Sequence, residues 1–150
     1  MLFRFLRGPA IAAALAIAAS APAAAQVPDP FARQLAQQLT LVDQVQSQYG
    51  YSRAAGPFAG GLAPTEARRF PVTLRAGQPY RMVGVCDARC ADIDLRLFDP
   101  NGVLVTQDRA PDRTPLVELS PPSTGAYTIE LAMAQCAEAP CYFAFNVYSR

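Results

Sequence analysis

The sequence predicts a mostly β fold, an antiparallel β-sandwich of seven to eight short strands preceded by one amphipathic helix. Three observations carry that prediction. Apolar residues recur at helical spacing only between residues 29 and 49. From Arg68 onward the alternation has a period of two, with turn-forming residues about every ten positions. Four cysteines fall in two tight pairs inside that second region.

The chain opens with a leader pattern. "MLFRFLR" places Arg4 and Arg7 ahead of the uncharged run "PAIAAALAIAA", and "APAAAQ" offers small residues at Ala23 and Ala25. This is the pattern of a signal peptide over residues 1–25, cut before Gln26. A membrane anchor fits less well, because the run is mostly alanine and holds Pro9 and Pro22. The expectation is a soluble bacterial chain, periplasmic or secreted, without membrane insertion after cleavage.

Composition excludes several function classes. Thirteen basic residues, all arginine, face twelve acids, and removal of Arg4 and Arg7 leaves eleven against twelve. A near-neutral chain lacks the basic face that nucleic acids or anionic membranes require. There is no histidine, which removes the commonest general base and metal ligand. There is no tryptophan to serve as a stacking platform.

Residues 26–49 form the helical segment. Asp29 is a candidate cap and Pro30 suits the first helical turn. Phe31, Leu35, Leu39, Val42, Val45 and Tyr49 make one stripe, with Arg33, Gln34, Gln37, Gln38, Asp43, Gln44 and Gln48 on the other side. The stripe must be covered, either by the following domain or by a partner. Helix 29–49 is thus a candidate for self-association, although fewer than three heptads make a weak coiled coil.

Residues 50–67 carry Gly50, Gly56, Pro57, Gly60, Gly61 and Pro64, and read as a mobile linker. Residues 68–150 then read as the sandwich domain. "RFPVTLR" and "PYRMVGVC" are followed by "DIDLRLF", in which Ile93, Leu95 and Leu97 face opposite to Asp92, Asp94 and Arg96. "DPNG" turns the chain into "VLVTQ". "LVELS", "AYTIELAMA" and "YFAFNVYS" complete the set. Antiparallel pairing of strands with no helix between them gives the sandwich.

Cys86 and Cys90, in "CDARC", and Cys136 and Cys141, in "CAEAPC", depart from zinc-ribbon and redox spacings, and an exported chain favours disulfides. Three connectivities are open. Local pairs are favoured because each lies where a turn joins two strands. Four extended steps would separate Cys86 and Cys90 by about 13 Å, too far for a disulfide without such a turn.

Asp87, Asp92 and Asp94 are candidate calcium ligands. Asp92 and Asp94 share a strand face and Asp87 comes from the adjoining loop. Solvated structural acids near Arg89 and Arg96 are the simpler reading.

"LRAGQPYRMVGVCD", "DIDLRLFDPNGVLV", "PLVELSPPSTGAYTIELAM" and "YFAFNVY" together resemble the bacterial pre-peptidase C-terminal (PPC) type of domain. The matching pieces are Gly77 and Tyr80, Asp92 to Leu95, Asp99 to Gly102, Gly125 to Ile129, and Tyr142 to Val147, within residues 68–148. The resemblance implies a jelly-roll-like sandwich in a secreted protein, usually accessory to a larger enzyme and not catalytic by itself. Some members bind calcium or polymeric substrates. This chain departs in its N-terminal helix, its cysteine pairs and the absence of a peptidase, so the resemblance makes it a stand-alone relative.

The expected function is a non-catalytic exported domain binding a protein partner or an envelope polysaccharide. Tyr142, Asn146 and Tyr148 are the candidate binding strip, since alternation sets them with Ala144 on one face and Phe143, Phe145 and Val147 on the core face. The alternative is a calcium-stabilised module. A hydrolase using Asp92 and Asp94 ranks last, because an exposed strand lacks the apolar pocket that raises one carboxyl pKa.

Overall fold

In the computed structural model, which describes residues 26–150, the helical spacing becomes helix α1, Asp29–Gln48. The expected leader, 1–25, lies outside the described residues. The helix starts one residue early: Pro28 flanks it, with its carbonyl accepting from the amides of Phe31 and Ala32. Asp29 stands in the first turn, where its charge suits the helix dipole. Among the described residues no helix is long and apolar enough to cross a membrane.

Eight strands follow: β1 Ser52–Leu62, β2 Ala67–Leu74, β3 Tyr80–Cys86, β4 Cys90–Phe98, β5 Leu104–Asp108, β6 Leu116–Leu119, β7 Gly125–Cys136 and β8 Cys141–Ser149. β1 pairs with β8, β2 with β7, β3 with β6 and β4 with β5, all antiparallel. That is one long ribbon of strand pairs. Rolling it over sets β3 beside β8 and β4 beside β7, which closes two sheets, β1-β8-β3-β6 and β2-β7-β4-β5. The result is the strand order of an eight-stranded jelly roll.

Period-two alternation fills the space between the sheets. Met82, Val117, Phe143, Phe145 and Val147 from the first sheet meet Leu74, Ile93, Leu95, Leu97, Ile129 and Leu131 from the second. Phe145 stacks on Phe58 at 4.8 Å and meets Phe70 edge-on at 5.0 Å. Removing such a ring costs about 3–5 kcal/mol.

The segment 50–67 corrects the sequence reading. It holds β1, hydrogen-bonded along β8 from Ser52 opposite Ser149 to Leu62 opposite Cys141, and is no linker. A strand rich in alanine and glycine carries no apolar alternation to read. Its small residues fit under bulky neighbours: a Cβ on Gly61 would sit 2.9 Å from the ring of Tyr142. Gly56 and Pro57 lie at the register shifts of β1 and mark irregularities within the strand instead of ending it. Residues 26–49, 50–67 and 68–150 therefore form one structural unit.

Helix α1 lies on the outer face of the first sheet. Leu35 and Leu39 pack on Val85 and Ala144, and Val42 reaches Tyr51, Val83 and Tyr148. The buried face is rotated from the expected stripe. Val45 and Tyr49 are 48% and 58% exposed, while Gln46 is buried. Partners explain the exchange: the Gln46 side chain accepts from Arg81, and its carbonyl accepts from the amides of Tyr49 and Tyr51 as the chain reverses at Gly50.

Candidate functional site

The residues singled out in the sequence do not make one site, although the disulfides, Asp87 and Tyr142 meet at one end of the sandwich. The cysteines form Cys86–Cys90 and Cys136–Cys141, with Cα atoms 5.9 and 5.8 Å apart. Cys90 also lies opposite Cys136 in the β4–β7 ladder, so the two staples are neighbours at one end of the sandwich. Both disulfides fit an oxidising, extracytoplasmic compartment.

Asp87 sits in the turn closed by the first disulfide and is fully buried. Its carboxylate accepts from the amides of Arg89 and Tyr142 and from the Arg89 guanidinium. Burial pushes the carboxyl up, but these donors together hold it below its ordinary value. Arg89 in turn lies 4.2 Å over the ring of Phe31 and donates to the carbonyl of Pro140. One buried acid thus ties β3, β8 and α1 together.

Asp92 lies at a register irregularity of β4 against β7, beside the regular stretch that carries Asp94, and the three acids do not converge. Among the described residues no three acidic side chains are placed to hold a metal ion. Asp94 is ion-paired with Arg96 and Arg109, and the oxygens of Asp87 already have their donors. Asp92 is pushed above the ordinary carboxyl value by burial and by the charges of Asp94 and Asp112. That corrects the expectation that neither carboxyl is raised. Asp94 continues instead into a ladder across the sheet, through Arg96 to Glu130 and on to Arg69.

The strip Tyr142, Asn146 and Tyr148 has the predicted alternation and the wrong accessibility. Asn146 and Tyr148 are buried, because α1 covers the face to which they point. The Tyr148 hydroxyl and the Asn146 amide both donate to Asp43 of α1, and Arg53 pairs with the same carboxylate. Tyr142 packs its ring at 4.8 Å from Phe31. These residues fasten the helix and offer no open binding strip.

An accessible concavity lies elsewhere. On one flank of the sandwich β5 runs against β6. On the opposite flank β1 and β2 are held together at Phe58 and Phe70, whose rings are 5.8 Å apart, and beyond that contact a cleft of about 470 Å³ opens. Ala55, Phe58, Val72, Leu74 and Val147 supply apolar lining, and Thr73, Arg75, Gln78 and Ser149 polar groups. The opening falls where β1 shifts register against β8.

No family model and no curated protein matches this chain.

The mouth of the cleft is held in shape. The Tyr80 hydroxyl accepts from the Arg75 amide and donates to the Gln78 side chain. The Ala76 amide donates to Thr124, and the Gly77 amide donates to the carbonyl of Pro121. Arg75 itself is exposed and forms no ion pair among the described residues. The arrangement can receive an apolar group and an acceptor together. Of the cleft and its mouth, Gly77, Tyr80 and Val147 are singled out in the sequence, none of them as a binding group; β1, which forms one wall, gives no periodic signal.

Proposed function

We propose that this chain is an exported, non-catalytic jelly-roll module that binds a protein partner, seating an apolar side chain of that partner in the cleft between β1 and β2. The observation that carries the reading is the cleft itself: a preformed concavity of ligand-pocket size, with mixed polar and apolar lining and, at its mouth, a cation without an ion pair among the described residues. Arg75 suits a carboxylate beside the anchoring side chain. A protein is favoured over a polysaccharide because the aromatic ring at the cleft and the outermost ring of the tyrosine strip are already covered, Phe58 by Phe145 and Tyr142 by Phe31. On the sequence pieces within residues 68–148 we propose the chain as a stand-alone relative of the PPC-type domain.

Capture experiments test the proposal. Tagged chain lacking residues 1–25 is exposed to periplasm or culture medium beside Ala54→Trp, which fills the cleft from an exposed position, and Arg75→Glu. A partner retained by wild type and lost by both variants is the expected result. Equal retention by all three contradicts the cleft as the site.

A further inference from the structure

β2 breaks its own pattern at one position. Phe70, Val72 and Leu74 alternate toward the core, where Phe70 packs against the cluster that holds the other two. Arg68 stands in the same series, where alternation calls for an apolar side chain. Its neighbour Arg69 faces the other way and pairs with Glu130. β1 supplies the room for Arg68. A Cβ on Gly60 would lie 2.5 Å from Nη1 of Arg68 and 3.3 Å from its Cζ, so the guanidinium rests directly on the β1 backbone. Among the described residues four arginines are partly buried: Arg68, Arg81, Arg89 and Arg96. Three face a carboxylate, Arg81 that of Glu118, Arg89 that of Asp87, and Arg96 those of Asp94 and Glu130. Arg68 has none within ion-pair distance. Glu66, the nearest acid in the sequence, accepts from the Ala63 amide instead. A cation drawn partly out of water without a counter-charge costs stability.

We propose that Arg68 is a docking point for a carboxylate, the side chain of an acidic residue on a protein partner, received between β1 and β2 at Gly60. A planar guanidinium takes a carboxylate through two parallel hydrogen bonds. One such pair holds a free anion only at roughly 5–100 mM. The carboxylate that fills this place is therefore carried by a chain held at other points as well. The site lies across the Phe58–Phe70 contact from the cleft, and it stands whether or not the cleft is occupied.

Acetate at constant ionic strength is the probe, read by the side-chain Nε–Hε resonances of the arginines in the chain lacking residues 1–25. The expected result is a saturable shift at Arg68 with a midpoint of roughly 5–100 mM, beside a smaller, linear drift at the exposed Arg33. Equal behaviour of Arg68 and Arg33 overturns the site. A midpoint below about 1 mM overturns the assignment to a protein side chain, because a free anion would then suffice. Thermal melts separate binding from structure. Arg68→Met should melt at or above the wild type, whereas Arg96→Met, which takes a cation from Asp94 and Glu130, should melt lower. A loss at Arg68→Met as large as at Arg96→Met overturns the proposal, since the fold itself would then hold the guanidinium.

Discussion

The hydroxyl of Tyr148 donates across 2.7 Å to the carboxylate of Asp43, joining the last strand of the sandwich to the middle of its only helix among the described residues. Asn146 and Arg53 donate to the same carboxylate. Burial raises the Asp43 carboxyl, but Tyr148, Arg53 and Asn146 outweigh it and hold the group below its ordinary value. A depressed carboxyl stabilises the fold above its unfolded pKa of about 3.9 and loses that contribution as pH falls through the lower folded value. Asp43→Asn should cost about 1–3 kcal/mol near neutrality. Urea melts at a series of pH values check this: the gap between wild type and variant narrows below about pH 4. A gap that does not narrow in acid contradicts the role given to Asp43.

Asp87 should behave as a structural acid. Asp87→Ala leaves the Tyr142 amide and the Arg89 guanidinium without their acceptor, at a cost of about 2–4 kcal/mol by denaturant unfolding. Calcium, added or chelated, should leave the melting temperature of the wild type unchanged. A rise with calcium that Asp87→Ala abolishes would restore the metal reading.

Gly56 tests the fit of β1. Its φ of +105° is one that side chains rarely adopt, and a Cβ there would lie 2.7 Å from the Asn146 side-chain oxygen and 3.0 Å from the carbonyl of Phe145. Gly56→Ala should destabilise by at least about 2 kcal/mol. Gly77→Ala, with φ of +74° and no atom within 4 Å, carries the backbone cost without the clash. Thermal melts of both variants compare the two, and equal losses would argue against close packing of β1 on β8.

Reduction should weaken the fold in two similar steps. Each disulfide closes a small ring, worth about 2 kcal/mol in the loop-entropy model. Cys86→Ser/Cys90→Ser and Cys136→Ser/Cys141→Ser should each lower stability by that order, measured by denaturant midpoint. Alkylation of the unreduced protein should label no thiol.

The legible part of this fold was the part written in alternation. Seven strands, the inward set Ile93, Leu95 and Leu97, and the core face of β8 follow from side chains that alternate between water and apolar surroundings. β1 was illegible because it belongs to the sheet through backbone hydrogen bonds and small residues. Glycine and proline read as breakers when the partner strand is 79 to 97 positions away, from Leu62 opposite Cys141 to Ser52 opposite Ser149. The tyrosine strip was read correctly as a face and wrongly as open, because alternation says which residues share a side and not what lies upon it. Gln46 shows the same limit: its burial depends on Arg81, which the local helix pattern does not contain. The cleft was hidden for a like reason, being made by two edges that meet only in three dimensions.

Which surface is free to bind depends on α1 and β1 belonging to the fold. Hydrogen exchange on the chain lacking residues 1–25 tests this most directly. Protection of the β1 amides within 52–62 and of the α1 backbone at the level of β8 is the predicted result. Rapid exchange throughout 26–67 beside a protected 68–150 would contradict it, leaving the face of Tyr142, Asn146 and Tyr148 uncovered and the cleft without one wall.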